Sequence, residues 1–158
     1  MFRGQAVHTI DAKNRISIPS EFRVEFERRS EHAPVLALKG DHLALYPYDD
    51  WCAWEAKVLS VAEFDAKADK FAQFVLANAT TCPIDSQGRI LVPPLLREKA
   101  QLRRDVVIAG RGHWISLWDR ARYESTMSAI LGQYDELSSA VAARRERKES
   151  SLGGTGGG

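Results

Sequence analysis

This chain of 158 residues has only two cysteines, and it lacks both long apolar runs and an excess of charge of one sign. The two cysteines, Cys52 and Cys82, lie far apart and belong to no Cys-x-x-Cys motif, which argues against a metal knuckle or a redox pair. No run approaches the roughly 18 apolar residues of a membrane-spanning helix, and the N-terminal residues contain no apolar signal-peptide core. We therefore expect a cytoplasmic protein with reduced cysteines and no membrane partner.

Catalytic patterns are missing as well. The four histidines have no metal-ligand spacing, and the chain contains neither a G-x-S-x-G motif nor a cysteine paired with a placed histidine. The sequence therefore predicts no enzyme activity, no bound metal or cofactor and no small-molecule substrate. A small enzyme is one alternative, but it would need a polar pocket that no motif indicates.

Charge is nearly balanced, with 22 Lys and Arg against 21 Asp and Glu and a net charge of +1. The pI of about 7.8 is below the value of roughly 9 that many nucleic-acid-binding domains exceed. The charges are nevertheless segregated along the chain. Residues 49–70 contain six acids and three lysines, whereas residues 85–104 contain five basic and two acidic residues. Such segregation permits a basic face on a near-neutral protein.

The most informative feature that is present is a short sequence motif, here called the phrase, that occurs twice. "DAKNRISIP" begins at Asp11, and "DSQGRILVP" begins at Asp85, 85 − 11 = 74 residues later. A second block of matching positions starts at Gly40 and Gly112, with an offset of 112 − 40 = 72 residues. The chain is therefore predicted to be a tandem repeat of ββαββ units, each about 50 residues long, joined by a helical segment.

Each copy of the phrase predicts a strand, a turn and an outgoing strand. Asp11 and Asp85 are suited to accept hydrogen bonds from backbone N–H groups across their turns. Asn14 and Gly88 occupy equivalent positions directly before the arginine, here called the slot, and both residue types tolerate positive φ. Side chains alternate between the two faces of the outgoing strands. This alternation places one aliphatic set towards the core, namely Ile16, Ile18, Ile90 and Val92.

The same alternation places Arg15 and Arg89 on the outward side. A four-stranded unit is too small to bury both of its faces, whereas two units that close on each other into one barrel leave no exposed edge. Pseudo-twofold symmetry would then bring Arg15 and Arg89 together on one surface as a matched pair. The alternative is that each arginine only pairs with the aspartate four residues before it.

The segment between the repeats is predicted to be helical. Ser60 and Glu63 have the spacing of a capping box, which predicts a helix start at this point. A stripe at helical spacing is predicted to pack in the core, namely Phe64, Ala68, Phe71 and Val75. Other aromatic side chains are candidates either for subunit contacts or for core packing, namely Trp51, Trp54, Phe74 and Tyr134. The predicted divisions are a first repeat with linking helices (1–78), a second repeat with its C-terminal helix (79–131), a further helix (132–149) and a disordered Gly-rich tail (150–158).

Several segments together resemble the MraZ family of bacterial regulators, which is related to the AbrB-type swapped-hairpin proteins. The segments are "MFRG", "DAKNRISIPSEFR", "LALYPYDDW", "CPIDSQGRILVPPLLREKA" and "ISLWDRARYE", within about residues 1–125. The resemblance implies an α+β fold in which two tandem AbrB/MraZ-like ββαββ repeats close into one pseudo-twofold swapped-hairpin β-barrel with flanking helices. One departure is Asn14, which stands where the family usually has Gly.

The resemblance also implies a function. Members of the family are ring-forming homo-oligomers that bind double-stranded DNA at short direct repeats in the promoter of the division and cell-wall gene cluster, which includes their own gene. The expected location is then the nucleoid. By this resemblance Arg15 and Arg89 contact DNA, and we add Lys13 and Arg3 as auxiliary phosphate contacts.

Two arginines per chain would bind phosphates weakly, because affinity rises with the number of phosphates neutralised. An oligomer that engages several DNA sites together overcomes this weakness. A structural ring-forming scaffold is the remaining alternative, and it predicts no salt-sensitive DNA binding.

Overall fold

The two repeats contain the same elements in the same order. The first repeat and the helices after it comprise β1 (Gln5–Thr9), β2 (Arg15–Ser17), α1 (Ser20–Arg29), β3 (Val35–Lys39), β4 (His42–Tyr46), α2 (Tyr48–Ala62) and α3 (Ala66–Ala77). The second repeat and the helices after it comprise β5 (Ala79–Thr81), β6 (Arg89–Leu91), α4 (Pro94–Lys99), β7 (Asp105–Gly110), β8 (Ile115–Asp119), α5 (Arg120–Gly132) and α6 (Tyr134–Gly153). This computed structural model describes residues 1–154 and confirms the α+β class.

Both repeats lie in one compact unit, Met1–Arg120, and the residues from Ala121 onwards form a second unit. The repeats are therefore parts of one folded body rather than two independent domains. In the part of the chain that the structure describes, no helix has the length and apolar character needed to cross a membrane.

The C-terminal helix is longer than the sequence predicts. Helix α6 ends at Gly153, so residues 150–153 are helical where a disordered tail was expected. The Ser150 hydroxyl donates to the Glu146 carbonyl at 3.0 Å, a hydrogen bond that a serine makes within a continuing helix. The predicted tail residues 155–158 lie outside the described residues.

Strands are exchanged between the repeats. The larger sheet has six strands in the order β1-β7-β8-β4-β3-β5, and a separate sheet pairs β2 with β6. All of these pairs are antiparallel. If β1 is exchanged for β5, β3 for β7 and β4 for β8, the strand order is the same in reverse. The larger sheet therefore has pseudo-twofold symmetry, with the axis between β4 and β8.

The main hydrophobic core combines residues of both repeats. The four aliphatic residues that the alternation places inward are each at most 2% exposed, namely Ile16, Ile18, Ile90 and Val92. Phe2 joins this core, with its ring 5.7 Å from that of Phe22 in an edge-on arrangement. Because neither repeat encloses this core alone, the shared core accounts for the single compact unit.

A smaller apolar cluster lies on the opposite face of the larger sheet, where α2 and α3 pack. Its buried members are Val35, Ala37, Ala44, Tyr46, Trp51 and Val75. Trp51 is 5% exposed, and its ring lies edge-on to that of Tyr46 at 5.3 Å. Of the two roles left open for Trp51, core packing is therefore the one that the structure shows, because the sheet buries it.

The start of α3 also differs from the predicted one. Asp65 is the N-cap, and its carboxylate accepts hydrogen bonds from the backbone N–H groups of Lys67 and Ala68 at 2.8 and 2.9 Å. Ser60 instead lies inside α2, where its hydroxyl donates to the Lys57 carbonyl. The predicted capping box is wrong because an aspartate five residues later caps the helix.

This shift changes which side chains of α3 are buried. Val75 is 6% exposed, as predicted, but Phe64 and Phe71 are 86% and 52% exposed. Phe64 precedes α3 altogether, and Phe74 is also exposed, at 48%. The predicted core stripe is thus wrong for its two phenylalanines, which leave apolar surface uncovered on α3 and just before it.

Candidate nucleic-acid interface

The first turn connects β1 to β2 and is organised by Asp11. One of its carboxylate oxygens, Oδ1, accepts hydrogen bonds from the backbone N–H groups of Lys13 and Arg15, both at 2.9 Å. The Asp11 carbonyl accepts from the N–H of Asn14, and the Asp11 N–H donates to the Arg15 carbonyl, both at 3.0 Å. These four bonds fix the position from which Arg15 leaves the turn.

The second turn, between β5 and β6, has the same set of bonds. Oδ1 of Asp85 accepts from the N–H groups of Gln87 and Arg89 at 2.8 and 3.0 Å. The Asp85 carbonyl accepts from the N–H of Gly88 at 2.9 Å, and its N–H donates to the Arg89 carbonyl at 2.8 Å. The repeated phrase therefore produces one local structure twice.

The slot before each arginine has a left-handed backbone, with φ of 63° at Asn14 and 77° at Gly88. This conformation turns the carbonyls of both residues towards the other repeat. The Asn14 carbonyl accepts from the N–H of Val92, and the Gly88 carbonyl accepts from the N–H of Ile18, both at 2.8 Å. Each turn is thus hydrogen-bonded to the outgoing strand of its counterpart.

The hydrogen bonds also affect the two carboxylates. The backbone N–H of Arg15 lowers the pKa of Asp11 most, and the charges of Arg15 and Arg89 lower it further. The backbone N–H of Arg89 likewise lowers the pKa of Asp85. Ionised Asp11 and Asp85 therefore stabilise the turns above the unfolded-chain pKa of about 3.9, and this stabilisation is lost as the pH falls through the lower folded-state pKa.

Antiparallel pairing brings the two arginines to one face of the small sheet. Arg15 lies opposite Leu91, and Arg89 lies opposite Ser17. The arginines are therefore diagonal neighbours, about 7–8 Å apart by strand geometry. Leu91 is 54% exposed on this face, so the face is open to solvent.

In each turn the backbone N–H groups donate to one aspartate oxygen, Oδ1, so these hydrogen bonds do not involve the guanidinium of Arg15 or Arg89. Arg89 Nε lies 3.6 Å from Asp85 Oδ2, an ion pair without a hydrogen bond. Among residues 1–154 the guanidinium of Arg15 has no ion pair or hydrogen bond. Of the two arginines, Arg89 is thus the one that contacts the aspartate four residues before it.

Two further arginines, which sequence reasoning did not assign to the site, lie against the turns of the opposite repeat, and Arg97 is hydrogen-bonded to its turn. Nη1 of Arg97 donates to the Asp11 carbonyl at 2.9 Å and to Oδ1 of Asn14 at 3.0 Å. Arg23 occupies the matching place, where a Cβ added to Gly88 would lie 2.2 Å from Nη1 of Arg23. Asn14 thus supplies an acceptor, whereas Gly88 leaves room. The signal was available, because Arg23 and Arg97 are aligned by the same offset of 97 − 23 = 74.

Of the two auxiliary contacts, the structure brings Lys13 to the site but not Arg3. Lys13 is exposed within the first turn. Arg3 precedes β1, whose other end leads into that turn, and eight residues of extended chain span about 26 Å. Arg3 therefore lies at the far end of β1 from Arg15.

Arg103 and Arg104 are basic residues beside the first turn that sequence reasoning did not place there. The Arg104 carbonyl accepts from the N–H of Ile10 at 2.9 Å, next to Asp11. The Arg103 carbonyl accepts from Nη2 of Arg97, the same guanidinium that binds the turn. The basic segment 85–104 was the sequence signal for this neighbourhood.

No group of three or more His, Cys, Asp or Glu residues able to hold a metal ion occurs in the described range 1–154. The candidate site therefore consists of two Asp-led turns, a diagonal pair of arginines and basic neighbours around the first turn. This arrangement suits contact with an anionic polymer such as nucleic acid.

Fold and site together define a class: tandem-repeat α+β proteins that exchange strands between repeats and present a matched pair of Asp-led, arginine-bearing turns. A family model described as "MraZ protein, putative antitoxin-like" matches the chain twice, over residues 1–74 and 75–147. The chain belongs to the MraZ family.

Curated relatives support this assignment. The transcriptional regulator MraZ of Desulfitobacterium hafniense is 40% identical over 123 residues, which cover 77% of this chain and 82% of that protein. The protein of the same name from Halothermothrix orenii is 36% identical over 143 residues, or 89% and 96% of the two chains. That from Syntrophobacter fumaroxidans is 32% identical over 136 residues, or 86% and 91%.

Proposed function

We propose that this protein is a sequence-specific DNA-binding transcriptional regulator and that Arg15 and Arg89 contact the DNA. One observation carries the proposal: each repeat contributes one arginine, and the two are diagonal neighbours on an exposed face. Their separation of about 7–8 Å is close to two steps of DNA at about 3.4 Å per base along a strand. An arginine so placed can bind phosphate or form two hydrogen bonds to a guanine edge. The curated relatives carry the name of transcriptional regulator.

The two sheets are proposed to form one swapped-hairpin barrel. The exchange of β1 and β5 between repeats and the shared core of Ile16, Ile18, Ile90 and Val92 support this arrangement. A barrel would hold both turns on one rigid surface, so that the arginines keep a fixed spacing for the DNA.

The proposed targets are short direct repeats in the promoter of the division and cell-wall gene cluster, including the protein's own gene, in the cytoplasm at the nucleoid. Because each subunit offers a single arginine pair, several subunits must engage several repeats together for tight binding. A ring of subunits meets this requirement.

We expect the DNA upstream of the protein's own reading frame to be retarded in a gel-shift assay, whereas a duplex of the same composition in scrambled order is bound much more weakly. In a salt series the logarithm of the binding constant should fall linearly, with a slope of about −0.9 per phosphate contacted. Equal binding of both duplexes would contradict sequence specificity. A complete lack of salt-sensitive binding would favour the structural scaffold.

We also expect a homo-oligomer larger than a dimer, held by residues 49–77 and 119–131. The exposed apolar side chains Phe64 and Phe74 support this expectation, since Phe64 is 86% and Phe74 48% exposed. The double variant Phe64→Ser/Phe74→Ser should have a lower mass by light scattering with unchanged helix content. Val24→Ser, which alters an apolar residue of α1 that is 64% exposed, is the matched control and should leave the mass unchanged. A concentration-independent monomer in the unmodified protein would refute the oligomer.

A further inference from the structure

A direct repeat has a direction along the DNA, but a DNA-binding surface with twofold symmetry binds equally well in both directions. Two identical turns related by a dyad would accept a duplex equally well in either direction, because the backbone of the duplex also has dyad symmetry. If the proposed function is correct, something in this chain must break the symmetry of the turn pair. The turns have the same backbone hydrogen bonds, so the difference must come from the side chains around them.

The side chains at equivalent positions differ in charge. Lys13 of the first turn corresponds to Gln87 of the second, with an offset of 87 − 13 = 74. Arg104 corresponds to His32, with an offset of 104 − 32 = 72. The same offset aligns Arg103 with an acid, Glu31, so that all three differences make the first turn more positive.

The basic residues lie next to the first turn in the structure. The carbonyl of Arg104 is bonded to Ile10 beside the turn, and Arg97 links the carbonyl of Arg103 to that of Asp11. Asp119 lies 3.4 Å from the guanidinium of Arg103 and offsets part of its charge. The side chain of Arg103 is nevertheless 78% exposed, and Lys13 and Arg104 are exposed as well.

The second turn has acidic surroundings. It borders an open cleft of about 350 Å³ whose lining includes Asp85, Ser86, Glu27, Glu31 and His32, together with Arg23, the counterpart of Arg97 at the first turn. Glu27 and Glu31 are exposed. These carboxylates repel a phosphate that approaches the second turn from this side, whereas the corresponding side of the first turn attracts it.

We propose that the first turn is the phosphate-binding half of the pair, that Lys13 and Arg104 are its main cationic contacts, and that this asymmetry makes each subunit bind duplex DNA in one direction. The second turn then contacts the DNA through Arg89, with fewer cationic side chains beside it than the first turn has. This inference rests on the proposed function and adds to it the residues that determine direction.

Affinity cleavage tests the direction of binding. Ala12 and Ser86 are equivalent exposed positions in the two turns, with an offset of 86 − 12 = 74. Each is changed to cysteine in the full-length Cys52→Ser protein, and an iron–EDTA reagent is attached. Cys82 stays unlabelled because it is 2% exposed and burial raises its pKa to about 12.

The probe is a duplex containing the segment upstream of the protein's own reading frame. We expect the Ala12→Cys label to cleave on one flank of each bound repeat and the Ser86→Cys label to cleave on the other flank. If both labels cleave both flanks equally, the inference is wrong although the proposed function stands. If neither protein retards the duplex or cleaves it, both the proposed function and this inference fail.

A charge-symmetrised protein provides an independent measurement. The triple variant Gln87→Lys/Glu31→Arg/His32→Arg gives the second turn the charges of the first. It should steepen the salt slope by about 0.9 for each additional phosphate that the protein neutralises, and both labels should then cleave both flanks. Ser151→Lys/Glu149→Arg/Ser150→Arg makes the same change in charge on α6 and should leave the cleavage pattern one-sided. Cleavage that stays one-sided in the symmetrised protein would overturn the assignment of direction to these residues.

Discussion

At physiological salt, replacing Arg15 or Arg89 with alanine should abolish detectable DNA binding while leaving the fold and the oligomer intact, and binding should return at lower salt. If the arginine contacts a base, each site engaged should lose about 1–3 kcal/mol of binding free energy. An oligomer that touches several DNA repeats multiplies this modest loss, so the overall binding falls below detection. The fold should survive because the buried side of β2 and β6 is formed by Ile16 and Ile90, each 1% exposed. Gel-shift titration and light scattering on both variants measure these outcomes.

The same variants distinguish the kind of contact. If an arginine binds a guanine edge, its loss should relax the sequence preference at one position of the repeat. If it binds phosphate only, affinity should fall evenly for all duplexes, and the salt slope should become shallower by about 0.9 per site. Titrations of the upstream duplex and its scrambled counterpart at several salt concentrations separate the two cases.

Matched aspartate variants control for a purely structural role. Asp11→Ala removes the acceptor of two backbone N–H groups in the first turn, so it should lower the melting temperature, and Asp85→Ala should do the same. Arg15→Ala should leave the melting temperature unchanged, because the Asp11 carboxylate accepts from backbone N–H groups that this substitution retains. Arginine variants that are as unstable as the aspartate variants, yet bind DNA normally when folded, would show that Arg15 and Arg89 only brace their turns.

Much of this site follows from local rules. Period-two alternation places Ile16 and Ile90 inward, and these residues are buried. The shared slot of Asn14 and Gly88 predicts a left-handed backbone, and both have positive φ. Such features depend only on neighbours within a few residues, so the repeated phrase alone reveals them.

Other features depend on how distant segments meet. Arg97 reaches the Asp11 turn only because the two repeats exchange strands, a contact that neither copy of the phrase contains. Trp51 could not be distinguished from a surface aromatic, because its burial depends on how α2 lies against the sheet. The exposure of Phe71 likewise depends on the start of α3 at Asp65, five residues after the predicted cap Ser60.

A fragment of residues 1–78 should not fold as a monomer. In the whole chain β1 pairs with β7, β2 with β6 and β4 with β8, so each of these three strands loses in the fragment a partner that belongs to the second repeat. The pairing of β3 with β4 is the one that stays within the fragment, and β3 also loses β5. An isolated two-stranded hairpin is at best marginally stable.

The fragment would also expose its half of the core. Ile16, Ile18 and Phe22 are at most 6% exposed in the whole chain, where they share one cluster with Ile90 and Val92. Each large aliphatic or aromatic side chain returned to water costs about 1.5–3 kcal/mol, which rapidly exceeds the roughly 5–15 kcal/mol that a small domain has in total. The expected products are therefore aggregates or a dimer.

A dimer is the more informative product, because the pseudo-twofold symmetry predicts its structure. In two copies of residues 1–78, β3 of one copy can take the place of β7 and pair with β1 of the other, and the two β2 strands can pair as β2 and β6 do. Light scattering should then give the mass of two fragments, and circular dichroism should show strands as well as helix. The full-length chain purified in parallel is the control. A monodisperse, folded monomer of 1–78 would refute the interdependence of the repeats, because it would show that the first repeat satisfies its edges and core without the second.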